Sequence, residues 1–272
     1  MVDAVDLLAL EGADCNFHIA PHETELKRLF GGQTVAQSLV AAAQSVPSNY
    51  YAHSLHSYFL TAGRPNAPLY FHVTELRNGR SFVTRQVDTI QNGHIIFSMQ
   101  ASFTDSKVPG LQHSTQVVFP GSPEDFKHAK DVIPRNNYGY KFLMEWENWD
   151  LRLVPSRQVT SSGYPAHLQI WVRYTGKKSL TNPEKQALLA YMSDMTLIST
   201  IREPHQNVSV QDASLDHAIW FFDDYNPHEW HFYDLISPWA SHGRGLGIGR
   251  VFNSAGIQIA QTSQEGLVRY YS

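Results

Sequence analysis

The chain has 272 residues, enough for one large domain or two small ones with a sizeable core. Its composition, 42% hydrophobic and 17% charged, is typical of a globular protein, and the formal net charge of −4 predicts no nucleic-acid partner. The single cysteine, Cys15, excludes an intrachain disulfide and a cysteine zinc cluster, and no apolar run reaches the ~20 residues of a membrane span.

The first hundred residues predict helical segments followed by an antiparallel meander. Residues 3–11 predict a short helix and residues 14–20 a strand. Leu29–Gly32 is interpreted as a break, and Gln33–Val46 predicts an alanine-rich helix stopped by Pro47. Four strand-like runs follow, and Asn-Gly between the last two is a strong hairpin signal. These runs are residues 55–60, 69–77, 81–90 and 94–104.

The second half begins with a change of character. Residues 105–165 carry scattered prolines without a persistent period, which indicates a linker with helical pieces such as EDFKHAKDV. Residues 168–174 then predict a strand. A helix begins with Asn182 as N-cap and Pro183 at the first position, and it continues through KQALLAYMSDMTLISTI. Strands at 215–222 and 229–237 and a closing hairpin at 243–269 complete the chain.

The two halves of the chain resemble each other. The motif NGRSF at residues 78–82 matches HGRGL at 242–246, and the turn glycine Gly93 matches Gly256. Both halves also share the order of a small-residue helix followed by strands and a hairpin. The repeat predicts an α+β protein in which each helix is wrapped by an antiparallel sheet and the two sheets join edge to edge into one. The predicted divisions are 1–108 for the first repeat, 109–165 for the linker and 166–272 for the second repeat.

Two polar residues in apolar surroundings are candidates for a site. Asp194 lies within the second predicted helix among Ala, Leu, Met and Ile, so it is either solvent-facing or a buried carboxylate whose pKa tends to rise. Gln264 lies late in the last strand, where a polar residue is either on the solvent face or part of a site.

The tetrapeptide Ser214-Leu215-Asp216-His217 contains the residue types of a catalytic triad. Consecutive strand residues point to opposite faces, so only Ser214 and Asp216 share one, and the chain has no Gly-x-Ser-x-Gly elbow. We therefore interpret His217 as a structural partner or a surface residue. The His-Glu-x-x-His motif and a phosphate-binding Gly-rich loop are both absent from the sequence, so we predict neither a metal nor a cofactor.

Several long motifs resemble one family. FGGQTVAQSLVAAAQSV, HSLHSYFLTAGRPNAPLYFHVTELRNGRSFVTRQVDTIQNG, YMSDMTLIST, SLDHAIWFF and SQEGLVR are similar, in this order, to the acyl-CoA thioesterase II (TesB-like) family of double-hotdog enzymes. The resemblance is weakest through residues 105–165. It implies the double-hotdog fold and hydrolysis of fatty acyl-CoA to fatty acid and free CoA.

The resemblance also implies a catalytic set. In this family an Asp, a Thr or Ser, and a Gln orient the attacking water, and the matching positions are Asp194, Ser214 and Gln264. Relatives often carry Thr where this chain has Ser214, which keeps the hydroxyl but lacks one methyl. Backbone N–H groups at the start or at a break of a hotdog helix are the expected oxyanion donors.

Candidate substrate-binding residues come from the first repeat. His56, in HSLHSYF, and Gly32, before the first helix, are assigned this role, although a structural role for His56 is an open alternative. The helix position equivalent to Asp194 falls near Gln37–Val40, without an acid, and the position equivalent to Gln264 is Gln100 or Ala101. We therefore predict one working site per chain.

Two competing functions remain at this point. A double-hotdog hydratase or dehydratase would need a His near the helix Asp, but the residue five positions after Asp194 is Ser199, which leaves only a pairing with His56. A non-catalytic acyl-CoA-binding module is the other alternative. The resemblance further implies a homodimer or homotetramer in the cytoplasm or the peroxisome. The N-terminus lacks the basic region of a secretory signal, and the C-terminus differs from Ser-Lys-Leu.

Overall fold

A computed structural model describes residues 2–105, 109–156, 163–205 and 208–271. The predicted end of the first repeat, residue 108, and residues 157–162 of the predicted linker lie outside these ranges. Within the described ranges the chain forms antiparallel strands and short to medium helices, and it divides into two compact units. None of the described helices is long and apolar enough to cross a membrane.

The helices and strands are numbered in chain order. The α-helices are α1 (Gly31–Ala43), α2 (Ala129–Val132), α3 (Tyr138–Glu145), α4 (Asn182–Ser193) and α5 (Leu197–Arg202). The strands are β1 (Glu11–Ala13), β2 (Asn16–Ile19), β3 (Tyr51–Phe59), β4 (Leu69–Asn78), β5 (Phe82–Gln91), β6 (His94–Thr104), β7 (Trp149–Leu153), β8 (Ala166–Tyr174), β9 (Val210–Ser214), β10 (Asp216–Phe221), β11 (His231–Ser241), β12 (Arg244–Asn253) and β13 (Gln258–Tyr270). Short 3-10 helices occur at Asp6–Leu8, Pro123–Asp125 and Glu203–His205.

Unit 1 comprises residues 1–113, 177–192 and 218–221. Its antiparallel strands pair in the order β1-β2-β4-β5-β6-β3, and α1 packs against β3 to β6. Ala36, Ala41 and Ala42 of α1 are fully buried, because a helix with small side chains can lie close to a sheet that curves around it. The predicted helix followed by a meander is confirmed. The helix predicted at residues 3–11 is wrong, because only one 3-10 turn forms before β1.

The start of α1 differs from the prediction. Gly31 and Gly32, interpreted as a break, form the first turn of the helix. A Cβ atom on Gly32 would lie 2.4 Å from the carbonyl oxygen of Tyr191, so glycine at this position permits close approach to the backbone of α4. The helix ends at Ala43, and the buried Arg85 donates to the backbone oxygen of Ser45 at 3.0 Å, just beyond the end of the helix.

The start of α4 also corrects a prediction. Thr181, not Asn182, caps this helix, because the Thr181 backbone N–H and hydroxyl both donate to Glu184 Oε2 at 2.7 Å. The Thr-x-x-Glu spacing is that of a capping box, which moves Pro183 to the second helical position. The prediction of one continuous helix is wrong as well, since α4 ends at Ser193 and α5 begins at Leu197.

Unit 2 comprises residues 114–176, 193–217 and 222–272, and its strands pair in the order β9-β13-β12-β11-β8-β7. Helix α5 packs on β11, β12 and β13. Alternate glycines of β12 permit this contact. A Cβ atom would lie 2.3 Å from Ile201 Cγ2 at Gly245 and 2.9 Å from the Leu197 carbonyl oxygen at Gly247. The sheet therefore approaches α5 at backbone distance.

The predicted linker has more structure than expected. It contributes strand β7 and a hydrophobic cluster on unit 2, in which Phe126 and Val154 pack with Trp171, Phe232 and Phe252. Strand β9 was also missed by the sequence interpretation, which began a single strand at residue 215. The structure instead has two strands that meet at Leu215, whose N–H donates to the Glu265 carbonyl.

The two meanders confirm the internal repeat. Strands β4, β5 and β6 are joined as β11, β12 and β13 are, by two successive antiparallel hairpins. The turn residues Asn92 and Gly93 have φ angles of 51° and 79°, and Gly256, the equivalent of Gly93, has a φ angle of 80°. These positive values favour Gly and Asn, which explains the turn motifs in the sequence.

Candidate active site

Gln264 lies on β13 opposite Gly247 of β12, and its side chain is completely buried. Its amide nitrogen Nε2 donates to Asp194 Oδ1 at 2.5 Å and to Ser214 Oγ at 2.9 Å. The solvent-face alternative for Gln264 is therefore wrong. One amide joins residues 70 and 50 positions away along the chain.

Asp194 lies at the break between α4 and α5, and only 9% of its surface is exposed. Of the two alternatives for Asp194, the solvent-facing one is wrong, and so is its place within a continuous helix. The break at residues 194–196 takes Asp194 out of the regular helical repeat. Its carboxylate is directed toward β13, where it accepts the hydrogen bond from Gln264.

Ser214 is the last residue of β9 and pairs with Gly266 of β13. This register places its side chain beside Gln264. Because Ser214 Oγ accepts from the Gln264 amide, its hydroxyl hydrogen can be donated to another group. The three predicted catalytic residues thus come from a helix break, a short strand and a long strand of unit 2.

His217 lies beside this group, on β10, with 1% of its surface exposed. Its Nε2 is 2.8 Å from Ser193 Oγ, and its Nδ1 is 4.0 Å from Asp194 Oδ1. Burial lowers the pKa of His217 to about 3, so the imidazole is neutral near pH 7. Of the two sequence-based alternatives, the structural partner is confirmed and the surface residue is wrong.

The end of α4 is held by a buried tyrosine. Tyr233 Oη donates to the Ser193 carbonyl at 2.9 Å and forms a second hydrogen bond with Thr262 Oγ1 at 2.8 Å. The last carbonyl groups of a helix lack partners within the helix, so this bond satisfies one of them. Burial, with a smaller effect of the nearby Asp194 charge, raises the pKa of Tyr233 and keeps its hydroxyl protonated.

The arrangement presents both hydrogen-bond donors and acceptors to a bound polar molecule such as water. It combines a carboxylate acceptor and a hydroxyl, each within hydrogen-bonding distance of one amide. Gln264 Oε1 is buried and has no hydrogen-bond partner among the described residues. A buried amide oxygen of this kind favours binding of a donor. No metal-ligand group of three or more His, Cys, Asp or Glu residues occurs in the described ranges.

Comparison with known proteins assigns a family to this architecture. A model of acyl-CoA thioesterases matches residues 141–267, and a model of the acyl-CoA thioesterase N-terminal domain matches residues 20–104. Acyl-CoA thioesterase 2 of Haemophilus influenzae is 34% identical, with 98% of this chain and 96% of that protein covered. The chain belongs to the acyl-CoA thioesterase family.

Solved structures agree with this thioesterase assignment. Acyl-CoA thioesterase II TesB2 from Mycobacterium marinum is 35% identical, with a TM-score of 0.88 over 99% of both chains. A protein with a hot dog fold from Alicyclobacillus acidocaldarius has a TM-score of 0.80 over the full length of both chains at 19% identity, a likeness that concerns the fold. The predicted family and the predicted hotdog fold are confirmed.

The remaining predicted site residues of this thioesterase lie in unit 1. His56 is an exposed residue of β3 whose ring contacts Trp220 edge-on, with centroids 5.2 Å apart. Gly32 is buried in α1, where its lack of a side chain permits contact with Tyr191. A packing reason therefore accounts for Gly32, and substrate binding by either residue stays a prediction.

Sequence reasoning missed two parts of the site region. The contact between His217 and Ser193 was not foreseen, although both residues flank predicted catalytic positions in the thioesterase motifs. The contact of Tyr233 with the end of α4 was missed because the tyrosine lies in an apolar strand and carries no local signal. Only the pairing of β11 with β12 and β8 reveals its position.

Proposed function

We propose that this protein hydrolyses fatty acyl-CoA to a fatty acid and free CoA, using a water held by Asp194, Ser214 and Gln264. The observation that carries the proposal is the double hydrogen bond of Gln264 Nε2, which brings the carboxylate of Asp194 and the hydroxyl of Ser214 to one point. The family assignment supports the substrate class.

Asp194 acts as the general base. A thioester carbonyl is electrophilic enough for attack by water, so no covalent intermediate with the enzyme is needed. The carboxylate accepts a proton from the water as the oxygen bonds to the carbonyl carbon, and the tetrahedral intermediate collapses with cleavage of the C–S bond. The proton then returns to the thiolate of CoA, which leaves as the thiol.

Ser214 and Gln264 orient the water. Two further hydrogen bonds fix its remaining lone pair and hydrogen, which reduces the entropy lost in reaching the transition state. The Gln264 amide also fixes the rotamer of Asp194, since Nε2 donates to Oδ1. The backbone donors expected for the oxyanion stay a prediction, and the break between α4 and α5 supplies a place for them.

We further propose one working site per chain. The sequence repeat aligns Gln264 with either Gln100 or Ala101 of unit 1. Ala101 is fully buried and Gln100 is exposed, so Ala101 takes the inward position on β6. An alanine there cannot hold a water, which supports a site carried by unit 2 alone.

The decisive measurement is release of CoA thiol from acyl-CoAs of several chain lengths. We expect Asp194→Asn and Gln264→Ala to lower kcat/KM by about 100-fold or more, since each removes a group that acts in the transition state. The exposed Gln100 supplies the matched control, and Gln100→Ala should retain the parent rate.

Asp194→Asn with near-parent turnover would show that the site assignment is wrong. Hydration of crotonyl-CoA without thiol release would support the hydratase alternative, and background activity of the parent on every thioester would support a binding module. Assembly as a homodimer or homotetramer, and location in the cytoplasm or peroxisome, stay predictions of the family resemblance.

A further inference from the structure

The buried imidazole of His217 has no role in the proposed mechanism, yet it lies beside Asp194, the general base of that mechanism. His217 projects from β10 toward the end of α4, with Nε2 at 2.8 Å from Ser193 Oγ and Nδ1 at 4.0 Å from Asp194 Oδ1. The same Oδ1 atom accepts the hydrogen bond from Gln264. The imidazole and the amide therefore approach one carboxylate oxygen from two different strands.

The imidazole is neutral, so its two nitrogens have different roles. Burial lowers the pKa of His217 to about 3, and a neutral imidazole carries one N–H donor and one acceptor nitrogen. A lone pair on Nδ1 would face the negative charge of Asp194, whereas an N–H at that position would point its positive end toward it. Asp194 is ionised in its proposed role as general base, and that charge favours the tautomer that is protonated on Nδ1.

The other nitrogen completes the chain of contacts. With Nδ1 protonated, Nε2 is an acceptor, so the hydroxyl of Ser193 must be its donor. We propose that His217 is a positioning residue for the hydrolysis, locked by Ser193 so that its Nδ1–H, 4.0 Å from Oδ1 and thus beyond hydrogen-bonding distance, acts on the Asp194 carboxylate through its dipole. This inference rests on the proposed function of Asp194 as the base.

Ser193, His217 and Asp194 contact one another in the order of a Ser-His-Asp catalytic triad. The burial of Ser193 argues against a nucleophilic role for its hydroxyl. Ser193 is completely buried, and its backbone carbonyl is held by Tyr233. A nucleophilic hydroxyl must reach the carbonyl carbon of the substrate. The serine therefore fixes the imidazole, and the carboxylate at the other end is the group that acts on water.

The inferred role predicts a change in pH dependence. An N–H directed at a carboxylate favours its charged form, so removing it should raise the pH below which Asp194 is protonated and activity is lost. Tyr233 is the titratable group of β11 that interacts with Asp194, and it stays neutral. Asp216 and Glu265 are the acids next to His217 and Gln264 along β10 and β13, where adjacent side chains point to opposite faces.

Two amide variants of His217 distinguish the role of Nδ1 from that of Nε2. In His217→Asn the amide nitrogen can occupy the position of Nδ1 and direct an N–H toward Asp194. In His217→Gln the longer amide reaches the position of Nε2, keeps a contact with Ser193 and leaves no donor at Nδ1. We expect His217→Gln to lower kcat by about 10- to 100-fold with KM changed less than about twofold. We expect His217→Asn to stay within about fivefold of the parent.

The pH profile of kcat/KM is the second measurement on these variants. Its acid limb should move up by about one pH unit in His217→Gln and stay in place in His217→Asn. Burial raises the pKa of Asp216 despite a backbone hydrogen bond from Glu265, so Asp216→Asn tests whether that acid sets the limb, and we expect no movement. Equal losses in both His217 variants with a fixed acid limb would reduce His217 to a packing role and overturn the inference.

The parent protein provides a test that does not depend on folding of a variant. Nitrogen-15 NMR of the imidazole should report a neutral ring protonated on Nδ1, and a ring protonated on Nε2 would overturn the inference. Failure of the proposed function looks different, because the parent would then release no CoA from any thioester. If the parent is active and His217→Gln has the same kcat and the same acid limb as the parent, the role of His217 is contradicted and the proposed function is not.

Discussion

At the scale of single residues, the polar groups buried near β13 are distinguished by which partners they have. Tyr233 and Thr262 bond each other and neighbouring backbone, which is the usual state of buried polar groups. The amide nitrogen of Gln264 instead donates to two side chains from distant elements. Its amide oxygen has no hydrogen-bond partner in the described ranges. This difference separates a structural network from a candidate site.

Ser214 provides the residue-scale prediction. Ser214→Ala removes the hydroxyl that accepts from Gln264, and we expect kcat/KM to fall by about tenfold, the effect of one hydrogen bond of ~1.4 kcal/mol. Ser214→Thr keeps the hydroxyl and should remain within about threefold of the parent. The measurement is CoA thiol release.

The control for Ser214 is a serine in a similar strand without a role in the site. Ser241 is exposed at the end of β11, so Ser241→Ala should leave the rate unchanged. A Ser214→Ala variant as active as the parent would remove the hydroxyl from the proposed water-binding set while leaving Asp194 and Gln264 open to their own tests.

At the scale of elements, the position of Asp194 depends on how closely α5 approaches β12. Gly245 and Gly247 have no side chains at positions where a Cβ atom would meet Ile201 and the Leu197 backbone. Gly247 is also the residue directly opposite Gln264. The glycine-rich run thus sets the distance between the helix break that carries the acid and the strand that carries the amide.

Gly247→Ala tests this spacing. The new methyl would lie 2.9 Å from the Leu197 carbonyl oxygen, so α5 must move away from β12. We expect a loss of about 1–3 kcal/mol in the free energy of unfolding, as for other overpacked sites, measured by urea denaturation. Thioesterase activity should fall in the still-folded variant, because the displaced break carries Asp194 with it.

An open glycine serves as the control for this substitution. Gly110 has no atom within 4 Å of the position of an added Cβ, so Gly110→Ala should change neither stability nor rate. Parent-like stability of Gly247→Ala would mean that α5 is not held at backbone distance from the sheet.

At the scale of the whole molecule, buried neutral histidines link stability to pH. Burial lowers the pKa of His217 to about 3 and that of His231 to about 4, the latter despite a bond to the Glu229 backbone. In the unfolded chain each has an ordinary pKa of about 6.5. Between these values the unfolded state binds more protons, so stability is complete above pH ~6.5 and is lost as the pH falls toward the folded values.

The expected loss is about 1.4 kcal/mol per pH unit for each histidine in the free energy of unfolding, between pH ~6 and ~4. Urea denaturation at pH 7.5, 6 and 5 measures it. His231→Asn should show a shallower dependence than the parent, whereas His94→Asn, at an exposed position, should follow the parent curve. A parent stability that is level from pH 7.5 to 5 would contradict the buried neutral state.

The sequence by itself determined the family, the helix-plus-meander repeat, the hairpin turns and the identity of Asp194, Ser214 and Gln264 as candidates. These follow from local signals: hydrophobic period, Asn-Gly and Gly turns that need positive φ, and long family motifs. The sequence interpretation failed where local propensity met tertiary packing. Thr181 caps α4 in place of the predicted Asn182, and Gly31 and Gly32, predicted to lie in a break before the helix, form the first turn of α1.

Only the tertiary structure decided how the candidate residues are used. The break after Ser193 interrupts a run that the sequence predicts as one helix, and α5 beyond the break is held against the glycines of β12. The enclosure of His217 depends on the fold around the end of α4. Burial and long-range contact arise from segments distant in the chain, so side-chain type can nominate a catalytic group, but packing decides its partners and its charge.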